Sequence, residues 1–170
     1  MFAPSSGKIP SQNFHITLSF LGALSPSQLD RLCSETDELL TRKVFCASNI
    51  DIDQYAYWPK PGIAWIGPST WPKQVDLIQQ QLAQLAKRLH LRQSKQSFQP
   101  HISLFRSKMP PSAPLLQPAF SIPCDTIVLY ESIQKRVGTE YHEIESWPLK
   151  PLSEQSSNRT RRPVARRHQI

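Results

Sequence analysis

The chain has 170 residues, of which 39% are hydrophobic, so it is long enough for one sizeable core and short for two independent ones. Of the formal charge of +7, residues 151–170 carry +4, from five arginines and one glutamate, which leaves +3 for residues 1–150. No apolar run approaches the roughly 18 residues of a membrane span, and Met1–Gln12 lacks the apolar stretch of a secretory signal. We therefore expect a single-domain, soluble, cytoplasmic protein with no membrane partner.

The cysteine content points to the same compartment. Cys33, Cys46 and Cys124 cannot all pair internally, and they form no Cys-x-x-Cys motif or Cys/His ligand cluster. This usage is typical of buried reduced thiols in the cytosol. We expect neither a structural zinc nor a cofactor.

The beginning of the chain predicts a loop, a strand and a helix. Residues 1–12 show no helical or alternating period and predict the loop, and Phe14–Leu21 predicts a strand that Gly22 ends. Ser25-Pro26-Ser27-Gln28 has the form of a capping box. The apolar residues that follow recur every three or four positions, so a helix is expected from there to near Lys43.

The middle of the chain predicts a hairpin and a second helix. Residues 44–57 are rich in Val, Ile and Tyr and indicate one strand, with or without a bulge. Ile63–Gly67 returns after a Pro- and Gly-rich break, which completes the hairpin. A second amphipathic helix is expected after Thr70, with Lys87 and Arg88 in its last turn.

The last third predicts three strands. Ser97–Arg106 indicates a strand, residues 107–119 carry four prolines and indicate a loop, and Asp125–Ser132 and Glu140–Trp147 indicate two strands joined through Gly138.

This order of elements predicts an α+β domain over residues 1–149. Residues 150–170 are polar, basic and poor in apolar residues, so we expect a disordered tail. The Arg159–Arg167 cluster in this tail would either hold RNA through counterion release or serve only solubility.

A short pattern that occurs twice carries the candidate chemistry. His15-Ile16-Thr17-Leu18 and His101-Ile102-Ser103-Leu104 each read His, aliphatic, hydroxyl, Leu. Successive side chains of a strand point to opposite faces, so each histidine shares a face with the hydroxyl two places further on. Two such strands facing one cleft would present two imidazoles and two hydroxyls to a single bound group.

A single histidine at the start of a strand is usually a hydrogen-bonded or surface residue. The pair is more informative, because a repeated motif has the form of an internal duplication. Coincidence of two loose four-residue patterns is the alternative. His90, His142 and His168 lack this context, and we expect them at the surface.

Four separated segments carry a resemblance to a known family: Asn13–Gly22, Tyr57–Gly67, Phe98–Arg106 and Leu129–Ser132. They resemble the two-histidine (2H) phosphoesterase superfamily, and within it the RNA 2',3'-cyclic phosphodiesterases, also called 2'-5' RNA ligases. The family motif is His-x-Thr/Ser-x. The residues that match its catalytic positions are His15, Thr17, His101 and Ser103, and Arg106 matches a basic residue common after the second motif.

The resemblance implies a bilobal α+β fold with pseudo-twofold symmetry, in which two antiparallel sheets flank a central cleft and the helices lie outside. It implies a metal-free site in which His15 donates a proton and His101 accepts one. Thr17 and Ser103 would hold the non-bridging phosphate oxygens, and Arg106 would offset developing charge.

The implied substrate is RNA that ends in a 2',3'-cyclic phosphate, which hydrolysis would convert to a 2'-phosphate. The reverse reaction would give a 2'-5' RNA linkage. No obligate protein partner is evident from the sequence. The alternatives are a non-catalytic RNA-binding module, and a 2H phosphoesterase that acts on small cyclic nucleotide phosphates or on 2'-5' oligonucleotides.

Two departures from the family pattern stand out. Family members usually carry a further strand and helix before the first motif, whereas 14 residues precede His15 here. We expect a sheet edge to be left unpaired and part of the core uncovered. The second departure, Ser103 in place of the commoner Thr, keeps the hydroxyl.

The aromatic residues of the hairpin have two interpretations. Tyr57, Trp58 and Trp65 would either stack on a nucleic acid base at the cleft or pack on the core. Core packing is the more common use of hairpin aromatics, and we expect it here.

Overall fold

The computed structural model describes residues 7–151, apart from positions 93, 95, 113 and 137. The expected basic tail, including Arg159–Arg167, therefore lies outside the described residues except at its first two positions. The elements within them, besides a 3₁₀ turn at Ser11–Asn13, are β1 (Gly7–Lys8), α1 (Pro26–Arg42), β2 (Ser48–Ile52), β3 (Gln54–Trp58), β4 (Ile63–Gly67), α2 (Lys73–Arg88), β5 (Ile102–Arg106), β6 (Phe120–Cys124), β7 (Thr126–Gln134) and β8 (Thr139–Pro148).

Both helices form close to where local sequence signals predict them. The Gln28 N–H donates to the Ser25 hydroxyl (3.3 Å), and the Ser25 N–H donates to the Gln28 side chain (2.9 Å), which completes the capping box. The apolar stripes of the two helices meet, with Leu32 of α1 in one buried cluster with Leu85 and Ala86 of α2.

One lobe is built on a four-stranded sheet with the order β1-β5-β4-β3, in which all neighbours are antiparallel. β3 and β4 form the predicted hairpin. Its turn requires Gly62, which has a φ of +65° and lies so close to the following strand that a Cβ would be 2.5 Å from the Ser107 carbonyl oxygen. The second motif lies in this sheet, but its strand begins only at Ile102, later than predicted.

The single strand predicted for residues 44–57 is wrong, because β2 and β3 belong to different sheets. β2 pairs with β6, a strand that was not predicted, and buries Ile50 and Ile52. Between β2 and β3 the carboxylate of Asp53 accepts a hydrogen bond from the Ser69 N–H at 2.6 Å. The chain thus passes from one lobe to the other within a stretch of continuous β-propensity.

The other lobe contains the β2–β6 pair and the long β7–β8 hairpin. The hairpin confirms the two strands predicted near the end of the domain, and Gly138 lies in its turn with a φ of +80°. Beyond β8, Lys150 pairs with Cys46, next to β2. The fold is α+β and two-lobed, as the resemblance implied.

The segment with the first motif departs most from expectation. Residues 14–24 form no strand, so the predicted strand Phe14–Leu21 is wrong. A strand needs a neighbour for its backbone hydrogen bonds, and among the described residues no backbone partner is found for His15 through Leu24. Ile16 and Leu18 nevertheless pack on buried clusters. The segment borders a cavity of about 1290 Å³ that extends to β6 and β7.

Candidate active site

His101 lies immediately before β5, half-buried between two indole rings. Its Nδ1 donates to the Gln99 carbonyl oxygen at 2.8 Å, so the neutral ring keeps its free lone pair on Nε2. The ring centroid of Trp58 is 4.5 Å away and that of Trp65 is 6.0 Å away. Burial, chiefly, and the charge of His15 lower the pKa of His101, against a smaller rise from its backbone hydrogen bond. His101 is therefore suited to accept a proton at neutral pH.

His15 is held in the same way. Its Nδ1 lies 2.7 Å from the Asn13 carbonyl oxygen, which again leaves Nε2 for chemistry. Two tyrosine rings of the β7–β8 hairpin surround it, Tyr141 at 4.8 Å and Tyr130 at 6.1 Å between centroids. The Asn13 side chain donates to the Thr139 carbonyl oxygen at 2.8 Å. This bond ties the first motif to the hairpin.

The two histidines form one electrostatic unit. Burial is the main cause of the lowered pKa of His101, and the charge of His15 adds to it, so the two imidazoles interact electrostatically. Each ring is oriented by the carbonyl two residues earlier and is flanked by two aromatic rings. The two histidines are thus held in the same way, although only the second motif forms a strand.

The two hydroxyls accompany their histidines. Thr17 and Ser103 are partly exposed, and neither hydroxyl makes a hydrogen bond to any part of the chain that the structure describes. Ser103 pairs with Trp65 across β5 and β4. Since paired residues point to the same face of a sheet, Ser103 shares the face of Trp65, whose ring also contacts His101.

Arg106 reaches the same face only because β5 contains a bulge. Strict alternation would put Ser103 and Arg106, three residues apart, on opposite faces. The register shifts between Ala64 and Trp65, so that Leu104 has no partner in β4, and Arg106 pairs with Ile63. Ile63 and Trp65 are two residues apart on one face, and the bulge therefore turns Arg106 to the side of Ser103.

The three hairpin aromatics have different positions. Trp65 is 5% exposed and belongs to the core, and the Tyr57 hydroxyl donates to the Ser107 carbonyl oxygen at 2.9 Å, a structural contact. Trp58 is half-buried, and its ring lies edge to face with that of His101. Core packing is thus confirmed for Trp65, whereas Trp58 forms part of the wall of the site.

Sequence reasoning missed several residues that shape the site. They are Asn13, Tyr130 and Tyr141, which position or surround His15. Asn13 and Tyr130 lay in segments that carried the resemblance, but neither was singled out. One usable signal was present, because an amide residue stands two places before each histidine, Asn13 and Gln99. The tyrosines gave no local signal, since their approach depends on the pairing of distant strands.

The large cavity does not coincide with the whole site. Its lining includes His15 and Thr17, but from the second motif it includes only Ile102. Arg106 lines a separate cleft of about 350 Å³. In residues 7–151 as described, no group of three or more His, Cys, Asp and Glu side chains is arranged to hold a metal ion, and no helix is long and apolar enough to cross a membrane.

No family model matches the chain. Among curated proteins, it is 26% identical over 151 residues to the RNA 2',3'-cyclic phosphodiesterase of Escherichia coli (strain K12), a match that covers 87% of this chain and 83% of that protein. It is also 26% identical over 145 residues to the RNA 2',3'-cyclic phosphodiesterase of Aeropyrum pernix, with 78% of this chain and 80% of that protein covered.

A solved structure shows the same architecture. The crystal structure of Escherichia coli LigT complexed with 3'-AMP superimposes with a TM-score of 0.74 and 27% sequence identity, covering 87% of this chain and 84% of that one. In sequence and in fold, the chain is thus similar to the RNA 2',3'-cyclic phosphodiesterases and to LigT, the proteins that the two-histidine motifs also resemble.

Proposed function

We propose that this protein hydrolyses 2',3'-cyclic phosphate ends of RNA to 2'-phosphates by two-histidine acid–base catalysis. The observation that supports this most strongly is the matched orientation of His15 and His101, each with Nδ1 on a carbonyl oxygen. It leaves one Nε2 from each lobe for proton transfer. The names of the curated relatives point to the same substrate.

The proton transfers follow from the two environments. His101, whose pKa is lowered, takes a proton from water through Nε2 while the water oxygen bonds to phosphorus. The bond from phosphorus to the 3'-oxygen breaks, and protonated His15 gives its Nε2 proton to that oxygen. The 2'-phosphate remains. The ring of Tyr141, 4.8 Å from His15, lies within the roughly 6 Å at which an aromatic ring attracts a cation.

The remaining site residues bind the charged phosphate. In this proposal Thr17 and Ser103 donate their hydroxyl protons to the non-bridging oxygens, one from each lobe. Arg106 offsets the charge from the end of β5, on the face that the bulge gives it. The reaction needs no metal ion, and its reversal would join a cyclic phosphate to a 5'-hydroxyl in a 2'-5' linkage. RNA in the cytoplasm is the proposed partner.

The test is hydrolysis of an oligoribonucleotide with a 2',3'-cyclic phosphate end, in the presence of a chelator. His15→Ala and His101→Ala should each lower kcat/KM by about 10²- to 10⁴-fold, the usual contribution of a general acid or base. His142→Ala is the matched control, because His142 is an exposed histidine paired with Glu140 on the β7–β8 hairpin. It should leave the rate unchanged.

Two results would contradict the proposal. A folded wild-type protein that binds RNA without turnover would favour the non-catalytic binding module. Hydrolysis of mononucleoside cyclic phosphates or of 2'-5' oligonucleotides, without hydrolysis of the RNA end, would favour a phosphoesterase for those substrates.

A further inference from the structure

A second cleft opens beside the histidine pair, at the end of β5. Three cationic side chains line it: Lys60 in the β3–β4 turn, Arg106 at the end of β5, and Lys108 just beyond. We call this the basic cleft. Its volume is about 350 Å³, and all three cations are exposed.

The backbone of the basic cleft is fixed by hydrogen bonds. The Ser107 N–H donates to the Gly62 carbonyl oxygen at 2.8 Å, and the Gly62 N–H donates to the Trp58 carbonyl oxygen at 2.9 Å. The Tyr57 hydroxyl donates to the Ser107 carbonyl oxygen at 2.9 Å. The hairpin turn and the end of β5 therefore form one rigid unit, which holds Lys60 close to Arg106 and Lys108.

No carboxylate in the described part of the chain neutralises the positive charge of the cleft. None of Lys60, Arg106 and Lys108 makes an ion pair with a carboxylate of the described residues, whereas Arg31, Arg42, Arg88 and Lys135 do. Three cations held together repel one another, and an anion between them removes this repulsion. Phosphate suits the set, because lysine binds it as a point charge and arginine through two parallel hydrogen bonds.

The basic cleft continues the site along one strand. The bulge puts Arg106 on the face of Ser103, and three residues of strand at about 3.3 Å each separate their Cα atoms by about 10 Å. Trp58 joins the two regions, since its ring contacts His101 and its carbonyl oxygen accepts from Gly62 in the turn. A phosphate chain whose last group lies between His101 and Arg106 is thus led towards two further cations, Lys60 and Lys108.

We propose that the basic cleft binds backbone phosphates of the nucleotides that precede the terminal cyclic phosphate. The inference rests on the proposed function and deepens it: the substrate class is an RNA strand of several nucleotides. Mononucleoside cyclic phosphates reach the reacting site but not Lys60 and Lys108. About three stacked nucleotides span 10 Å at 3.4 Å each, so the cleft meets the strand within a few nucleotides of its end.

The test compares the Lys60→Ala/Lys108→Ala double variant with the wild type on two substrates. The double variant leaves Arg106 and the histidines intact. For an oligoribonucleotide with a cyclic phosphate end, kcat/KM should fall about tenfold at low salt, mainly through KM. The dependence of log affinity on log salt concentration should weaken by about 1.4, because each neutralised phosphate of a single strand contributes about 0.7 to that slope. For a mononucleoside 2',3'-cyclic phosphate, kcat/KM should not change.

Two control variants distinguish the positive charge of the basic cleft from positive charge elsewhere on the protein. Lys60→Arg/Lys108→Arg should retain the affinity for the oligonucleotide. Lys73→Ala/Lys87→Ala removes two exposed lysines of α2, which make no ion pair with the described residues. This variant should leave kcat/KM unchanged for both substrates. The proposal would be overturned if the double variant lost as much kcat/KM on the mononucleoside as on the oligonucleotide, or lost none on the oligonucleotide. It would also be overturned if the α2 variant lost as much kcat/KM as the double variant.

A binding measurement separates this inference from the proposed function. Fluorescence anisotropy with a labelled oligoribonucleotide ending in a 2'-phosphate needs no turnover. If the wild type does not hydrolyse cyclic phosphates but the basic-cleft variant loses affinity and salt dependence, the proposed reaction fails and the RNA-binding cleft stands. If the variant loses affinity for phosphatidylserine vesicles and not for RNA, the ligand is a lipid headgroup and the inference is wrong.

Discussion

Asn13 offers the sharpest test of how the first histidine is positioned. Its side-chain amide donates to the Thr139 carbonyl oxygen at 2.8 Å, and its own carbonyl oxygen holds Nδ1 of His15. Replacing Asn13 by alanine removes the tie to the β7–β8 hairpin but keeps the backbone carbonyl. The neighbouring segment has no strand partner among the described residues. This hydrogen bond is therefore the chief polar restraint on where His15 lies.

The size of the effect follows from the one hydrogen bond that the substitution removes. A protein hydrogen bond contributes about 0.5–1.5 kcal/mol net, so Asn13→Ala should lower kcat/KM about 2- to 12-fold if that free energy serves to position His15. The loss should be in kcat, with the pH limits of the profile unchanged, because the chemistry of both imidazoles remains. Steady-state kinetics on the cyclic phosphate substrate over a range of pH would measure both.

A matched variant removes a different hydrogen bond to the same residue. Gln134 donates to the Thr139 hydroxyl at 3.0 Å and does not contact His15. Gln134→Ala should lower the free energy of unfolding about as much as Asn13→Ala does, and it should leave kcat unchanged. Equal kinetics for Asn13→Ala and Gln134→Ala would refute the prediction, because the hydrogen bond from Asn13 to Thr139 would then have no part in positioning His15, the proposed acid.

Three further predictions concern the other half of the site and the fold. Trp58→Ala should expose His101 and raise its pKa towards the ordinary value; because His101 must be neutral to act, the acidic limb of the kcat/KM profile should move to higher pH, and an unmoved limb would contradict the burial argument. Thr17→Val and Ser103→Ala should each lower kcat/KM about 10- to 150-fold, the worth of a hydrogen bond to a charged group, with the far-UV circular dichroism unchanged. Ser25→Ala should lower the free energy of unfolding in urea by about 1 kcal/mol because the helix cap is removed, while activity per folded molecule stays constant.

Local signals were sufficient for the elements whose causes are local. The capping box at Ser25 predicted where α1 begins, and Gly138 predicted the turn of the last hairpin, because both depend on a few adjacent residues. The motif histidines were found because a short pattern repeated. Their Nδ1 contacts are also local, since each uses a carbonyl only two residues away.

Features set by distant partners could not be predicted. The passage from β2 to β3 near Asp53 changes sheets, and nothing within residues 44–57 says which distant strand each half will meet. Phe14–Leu21 has the alternation of a strand but no neighbour to pair with among the described residues. The face of Arg106 was equally hidden, because it depends on a bulge that only the register with β4 reveals.

The backbone of residues 15–24, which has no hydrogen-bond partner within the described part of the chain, makes the two halves of the site unequal in rigidity. Amide hydrogens in a paired strand such as β5 exchange with solvent only when the sheet opens, whereas amides without an acceptor exchange during small local fluctuations. The proton donor of the proposed reaction therefore lies on the softer half and the acceptor on the stiffer half. A phosphate held by Thr17 would slow hydrogen exchange around His15 far more than around His101. Substrate binding would thus order the backbone around His15, which the fold alone leaves less restrained.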